Sequence, residues 1–270
     1  MRYSILLAVI VGCAWVTAAQ AAPVTGMRLW LDAADNSTFT FSSGNVVSAW
    51  NDKSGNALNF TQGTVANQPT RVSNVLNNQP VVRFDGVNDA LTNGGTLFTG
   101  GLHSVFIVFK ATKPGTYQGV LDGTPFGNPR HEVYIDTSGI HMFRGAGGDV
   151  ANGNYTSGDY VIFSSIWNGS SSASWIDGAG QVTGTLSTDA SATTTNILGS
   201  DANSSEYLGD IAEVLVYNSA LSTADRLANE AYLHEKWVPE PASLSLVAVL
   251  GLTLVRSRRS RRHAAMPRRA

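Results

Sequence analysis

The sequence predicts an all-β fold, an antiparallel β-sandwich with one short helix on its C-terminal edge. Three observations point there. From Val24 to about residue 220, short apolar runs alternate with turns rich in Gly, Ser, Thr and Asn. No helical pattern interleaves with those runs, which argues for antiparallel pairing rather than βαβ units. The single cysteine, Cys13, lies in the N-terminal apolar stretch, so the body has no disulfide, thiolate zinc site or cysteine nucleophile. Its stability must come from the core that a chain of this length can bury.

Taken in order, residues 1–21 carry a positive Arg2, the apolar run Ile5 to Gly12, and the small residues Thr17-Ala18-Ala19-Gln20-Ala21. That is the layout of a secretory signal peptide cleaved after Ala21. A lipoprotein signal at Cys13 is the rival reading; the apolar run before it is short and an Ala-x-Ala site follows. Residues 22–237 form the body. Val105-Phe106-Ile107-Val108-Phe109 is apolar on both faces and reads as a central strand, and Tyr160 to Trp167 as a second. Asn168-Gly169 makes a turn, Ala173 to Ile176 a strand, Asp177-Gly178 the next turn, and Ile211 to Tyr217 a late strand. Ser222-Thr223-Ala224-Asp225 caps a helix whose apolar stripe is Leu227, Ala228, Ala231 and Tyr232, ending near Trp237.

Residues 238–270 form a separate tail. Pro239 and Pro241 break the helix. Residues 242–255 carry no charge, and five arginines follow within Arg256 to Arg262. Fourteen helical residues reach only about 21 Å against a hydrocarbon core of about 30 Å. The arginine block favours a short span with a cytoplasmic end, because a core helix rarely runs into such a block and arginines can snorkel across the mismatch. From Ala22 to Trp237 the chain has 10 Lys+Arg against 19 Asp+Glu, a net charge of −9. An acidic body argues against nucleic acid as a partner, since phosphate neutralisation needs a basic face.

Glycoside hydrolysis is the first chemistry to weigh. The body has five glutamates, Glu132, Glu206, Glu213, Glu230 and Glu235, and none begins a Glu-x-Asp-x-x-Glu strand. Glu132 and Asp136 share one strand face but lie about 13 Å apart, too far for retaining or inverting pairs. With Thr137-Ser138-Gly139 as a three-residue loop, Glu132 faces Arg144 in an opposite-charge cross-strand pair. In that register His131 and His141 are not opposite each other, and both are expected at the surface or an edge. No Gly-x-Ser-x-Gly occurs to supply a serine nucleophile. Asp52, Ser54 and Asn56, and Asp85, Asn88 and Asp89, are oxygen-rich turns of the kind hard cations use. The same residue types are what turns need for themselves, and that is the reading taken, with calcium at Asp85 and Asp89 as the alternative. Trp30, Trp50, Trp167, Trp175 and Trp237 are candidates for sugar contact. Alternation puts several of them in the core and leaves Trp175 the most exposed.

Several segments resemble the LamG-like, concanavalin A-like lectin/glucanase jelly-roll family. They are Leu29-Trp30-Leu31-Asp32-Ala33-Ala34-Asp35, Trp50-Asn51-Asp52-Lys53-Ser54-Gly55-Asn56, Val82 to Asp89 with its Phe-Asp-Gly element, and Gly209 to Asn218. That family has an acid where Ala212 stands here. The resemblance spans Met27 to Trp237 and implies a jelly roll; many members bind calcium. Pro239-Glu240-Pro241, the short apolar stretch and the arginine end resemble the PEP-CTERM sorting signal of Gram-negative bacteria. That implies signal peptidase and an exosortase-like enzyme as processing partners and a transient stay at the inner membrane. Delivery to the outer envelope or extracellular matrix would follow. The expectation is a secreted, non-enzymatic binding module for polysaccharide or a surface protein. A glycosidase-like enzyme is the alternative, and a passive envelope spacer comes third.

Overall fold

A computed structural model describes residues 22–112, 116–124, 130–189 and 192–238. The expected signal peptide at 1–21, the Pro239-Glu240-Pro241 motif and the apolar stretch 242–255 lie outside the described residues. Within them the chain forms seventeen strands and one α-helix. In chain order the strands are β1 (Leu29–Asp32), β2 (Phe39–Ser43), β3 (Val46–Trp50), β4 (Phe60–Thr61), β5 (Thr70–Leu76) and β6 (Gln79–Asp85). Next come β7 (Leu91–Asn93), β8 (His103–Ala111), β9 (Gln118–Thr124), β10 (His131–Asp136), β11 (Gly139–Arg144) and β12 (Asp149–Asn152). The last are β13 (Val161–Trp167), β14 (Ser172–Ile176), β15 (Ala179–Gly184), β16 (Thr195–Leu198) and β17 (Leu208–Tyr217), followed by α1 (Thr223–Trp237).

Every pairing among the described residues is antiparallel, as the turn-rich pattern requires. One run of ladders is β15-β14-β13-β8-β17. The free edge of β17 takes β1 along Glu213–Val216 and β6 along Leu208–Ile211. A second run is β4-β7-β16-β9-β10-β11-β12. The β5–β6 and β3–β4 pairs join the two runs through Val46 opposite Thr70. At the other end Asn152 Nδ2, on β12, donates to the Gly180 carbonyl of β15 at 3.1 Å. The ladders therefore link the strands into one nearly closed, barrel-like sheet, which leaves few open edges to pair with other chains.

The core fills the space between the two runs. Val105 to Phe109 is buried on both faces, as its unbroken apolar run implies, because β8 lies between β13 and β17 with α1 across its outer side. Trp50, Trp167 and Trp237 are fully enclosed. Asp177 and Gly178 both adopt positive φ, at 51° and 71°, forming the two-residue hairpin turn between β14 and β15. Ser222 caps α1 by accepting the Asp225 amide at 3.1 Å. Of the stripe expected of it, the helix buries only Tyr232. Leu227 is 50% exposed, and Ala228 and Ala231 also face out. The buried face carries Asn229, Tyr232, Leu233, Lys236 and Trp237, because β1 and β17 present carboxylates and a tyrosine there. Asn229 Oδ1 accepts from the Val24 amide at 2.8 Å and from Tyr217 Oη at 3.2 Å. Lys236 Nζ reaches Asp32 at 2.7 Å and Glu213 at 2.8 Å. Among the described residues no helix is long and apolar enough to cross a membrane.

Candidate functional site

The β10–β11 hairpin turns on two residues, Thr137 and Ser138, with Asp136 opposite Gly139. The expected three-residue loop is corrected by one position. Asp136 Oδ1 accepts the Ser138 amide at 2.7 Å and tightens the turn, while Gly139, at φ +132°, enters the ladder. A one-residue slip changes every partner. Glu132 faces Phe143 rather than Arg144, and His131 faces Arg144.

This register sorts the hairpin into two faces. His131, Val133 and Ile135 of β10 and Ile140, Met142 and Arg144 of β11 point to the core. Glu132, Tyr134, His141 and Phe143 share the other face, joined by Arg130 just before β10 and by Asp122, which pairs with Glu132 across β9. Tyr117 stacks on Tyr134 with ring centroids 4.3 Å apart, and Tyr134 stacks on His141 at 4.2 Å. Beside this stack opens a cavity of about 370 Å³ lined by Tyr117, Arg130, Tyr134, Asp201, Asn203 and Ser205, with Phe143 at its side. The loop between β16 and β17 supplies the last three polar residues. It approaches so closely that a Cβ at Gly119 would sit 2.6 Å from the Asp201 amide nitrogen, so β9 needs glycine there.

Arg130 organises the electrostatics. Its guanidinium lies 3.0 Å from Asp122, 2.9 Å from Glu132 and 3.0 Å from Asp201. Burial, and then the Asp122 charge, push the Glu132 carboxyl up to about 8, because one cation cannot offset three crowded carboxylates. Burial also raises Asp122. Burial acts on Asp201 in the same direction, but the Ser205 and Asn203 amides and Arg130 outweigh it and hold that carboxyl below its usual range. Neighbouring His141 lies 3.0 Å from Asp136 through Nε2 and 3.0 Å from Asp149 through Nδ1. Burial opposes its protonation, and the two carboxylates win, raising its pKa. Tyr134 Oη donates to Asp149 at 2.8 Å, so the clamp on His141 also holds the middle ring of the stack.

The expectation that His131 and His141 lie at the surface is overturned, since both are buried. His131 stacks on Phe98 at 4.7 Å, with its Nδ1 3.4 Å from Nε2 of the enclosed His103. Glu132 and Asp136 belong to different networks, the first around Arg130 and the second around His141. The oxygen-rich turns spend their carboxylates on their own backbone. Asp52 accepts the Trp30, Ser54 and Leu58 amides. Asp85 accepts those of Val87 and Asn88, and Asp89 accepts that of Asp85. Burial and the Asp85 charge raise Asp89 to about 6. Trp175 is half-buried, with the Arg226 guanidinium 4.1 Å from its ring centroid, so one face is already covered. Tyr117, Asp122, Arg130 and Asp201 drew no notice in the sequence. Asp201 is 71 positions from Arg130, and no local spacing announces that contact.

No family model and no curated relative matches the chain. Solved structures do. A Trypanosoma rangeli sialidase in complex with sialic acid aligns at 14% identity and a TM-score of 0.57, over 79% of this chain and 34% of that one. The chain thus spans about a third of the sialidase. Domain 4 of AbnA, an extracellular arabinanase from Geobacillus stearothermophilus in complex with arabinotriose, aligns at 14% identity and a TM-score of 0.55, over 76% of this chain and 97% of that one. The binding domain of Paraclostridial Mosquitocidal Protein 1 aligns at 11% identity and a TM-score of 0.56, over 78% of this chain and 52% of that one. At these identities the likeness is one of fold: the chain is similar in architecture to a complete domain of the arabinanase and to part of the other two proteins.

Proposed function

We propose that the chain is a secreted, non-enzymatic carbohydrate-binding module, a jelly roll of the LamG-like, concanavalin A-like kind. One observation carries the reading, the Tyr117–Tyr134–His141 stack beside a polar cavity on β9, β10 and β11. A sugar ring has an apolar C–H face, which suits an aromatic platform, and a rim of hydroxyls, which suits convergent polar side chains. Tyr117 is 39% exposed and supplies the platform, while Asn203 and Ser205 supply the polar rim. The arabinotriose-bound arabinanase domain, which this chain matches over nearly its whole length, agrees with that use of the fold. A glycan array probed with the full chain, with and without calcium, tests it. Binding that Tyr117→Ala removes is expected, and a blank array overturns it. Loss of binding on calcium removal would add a metal role at Asp85 and Asp89.

A hydrolase on the same fold is the second reading, favoured by Glu132 near 8 beside the low-lying Asp201. Against it, Glu132 and Asp122 are buried behind Arg130 and line no part of the cavity, so neither reaches a glycosidic oxygen. Release of reducing ends from a bound polysaccharide would reverse that preference.

The tail completes the proposal. In this reading Pro239-Glu240-Pro241 is the tripeptide that the processing enzyme recognises, and the arginine end is the part kept on the cytoplasmic side. We take the chain to be exported, held briefly at the inner membrane, cut near Pro239-Glu240-Pro241 by an exosortase-like enzyme, and passed to the outer envelope or matrix of a Gram-negative bacterium. Tags after Met27 and at Ala270 should separate in a host with that enzyme and stay on one membrane-bound polypeptide if the tail is a plain anchor.

A further inference from the structure

The charge layout of the Tyr117 cleft bears on which glycans it selects. An acidic sugar, such as a uronate or a sialate, needs a cation whose donors are free to form a fork with its carboxylate. Among the described residues Arg130 is the one cationic side chain lining the cavity. Its Nε and Nη2 donors are already committed. Nε and Nη2 reach both oxygens of Asp122 at 3.0 and 3.2 Å, and Nη2 also lies 2.9 Å from Glu132 and 3.0 Å from Asp201. Of those carboxylates Asp201 lines the cavity beside the cation, and Asp136 and Asp149 flank the far end of the aromatic stack. A ligand carboxylate entering here meets like charge in a partly desolvated site, where repulsion is weakly screened. The remaining polar groups of the rim, the Asn203 amide and the Ser205 hydroxyl, are uncharged and pair with hydroxyl groups.

We propose that the cleft selects uncharged glycans and excludes uronate- and sialate-bearing ones, with Arg130 serving to hold Asp201 and the β9–β10 wall in place rather than to meet the ligand. This rests on the carbohydrate-binding reading above. The experiment is titration calorimetry on the full chain, kept in mild detergent because of its apolar tail. The probes are arabinotriose, cellotriose and galactotriose against trigalacturonate and sialyllactose, at about 0.15 M salt. At least one neutral probe should bind ten times more tightly than either acidic one, and Tyr117→Ala should weaken it at least tenfold. Asp201→Asn keeps an oxygen for the Asn203 and Ser205 amides while freeing one side of the guanidinium, and it should narrow the neutral-over-acidic preference at least threefold. Circular dichroism checks that both variants are folded. If Asp201→Asn does not fold, the wild-type affinities and Tyr117→Ala still decide. Equal or tighter binding of an acidic probe, lost in Tyr117→Ala, overturns the inference while leaving the carbohydrate reading intact. Absence of binding to every probe, or binding indifferent to Tyr117→Ala, overturns the reading of the site and the inference with it.

Discussion

Two buried glutamates, Glu213 on β17 and Glu132 on β10, differ in how many hydrogen-bond donors the fold brings to them. Glu213 has a donor for each lone pair it needs filled. Its Oε1 accepts from Trp30 Nε1 and Tyr232 Oη, each at 2.7 Å, and its Oε2 accepts from Lys236 Nζ at 2.8 Å and Trp237 Nε1 at 2.5 Å. Three of those donors come from α1, so this carboxylate docks the helix on the sheet. Burial pushes both carboxyls up, but Glu132 shares a single guanidinium with two other carboxylates and rises to about 8. A saturated carboxylate is a structural joint, whereas an under-supplied one marks a place where the fold tolerates electrostatic cost beside an open cavity.

The largest expected effect follows from removing the joint. Glu213→Ala leaves Lys236 with Asp32 as its one carboxylate and strands two indole N–H groups, so it should cost about 3–5 kcal/mol. Urea unfolding of the full chain measures it, and a cost under about 1 kcal/mol would mean the two glutamates are not different in kind. Next comes acid sensitivity from the aromatic core pocket. Burial, with Arg144 nearby, lowers the pKa of both His103 and His131 far below 6.5. As pH falls below about 6.5 the unfolded chain binds their protons first, so stability falls by about 1.4 kcal/mol per pH unit for each histidine. His131→Phe, which keeps the stack on Phe98, should remove one histidine's share of that slope. An unchanged slope would show that His131 is protonated in the folded chain.

A smaller loss, about 1 kcal/mol, is expected from Ser222→Ala, because it uncaps α1 at the end away from Glu213. A loss several times larger would mean that the cap, not Glu213, seats the helix. Glu132→Gln, by contrast, should cost nothing at neutral pH and should stabilise the chain there, because it copies the protonated carboxyl of the folded state and removes the cost of protonating it. Its signature is in the pH profile. A folded pKa near 8 against an unfolded value near 4.5 gives stability that is complete below pH 4.5 and lost as pH rises towards 8. Glu132→Gln should abolish that alkaline decline, and its persistence would assign the decline to another group.

What was legible in advance follows a pattern. The cap at Ser222, the end of α1 at Trp237, the Asp177-Gly178 turn and the doubly buried β8 were all readable, since each depends on residues a few positions apart. The helix face was misread because Leu227, Ala228 and Ala231 look like a buried stripe until β1 and β17 set Asp32 and Glu213 under the other side. The hairpin register was misread by one residue, since the Asp136 side chain shortens a turn that composition alone makes three residues long. The same slip takes Glu132 from the expected place opposite Arg144 to one opposite Phe143, where its cation is Arg130 instead.

Local chemistry by itself settled the antiparallel β class, the single capped helix and the turns, because hydrophobic period, caps and positive-φ residues act within a few bonds of where they occur. Closure of the sheet, burial of two histidines taken for surface residues, and the meeting of Tyr117, Arg130, Glu132 and Asp201 were settled by the folded chain alone. Those depend on which distant strands pair and on how many donors each buried charge then finds, and neither quantity is carried by any one stretch of sequence.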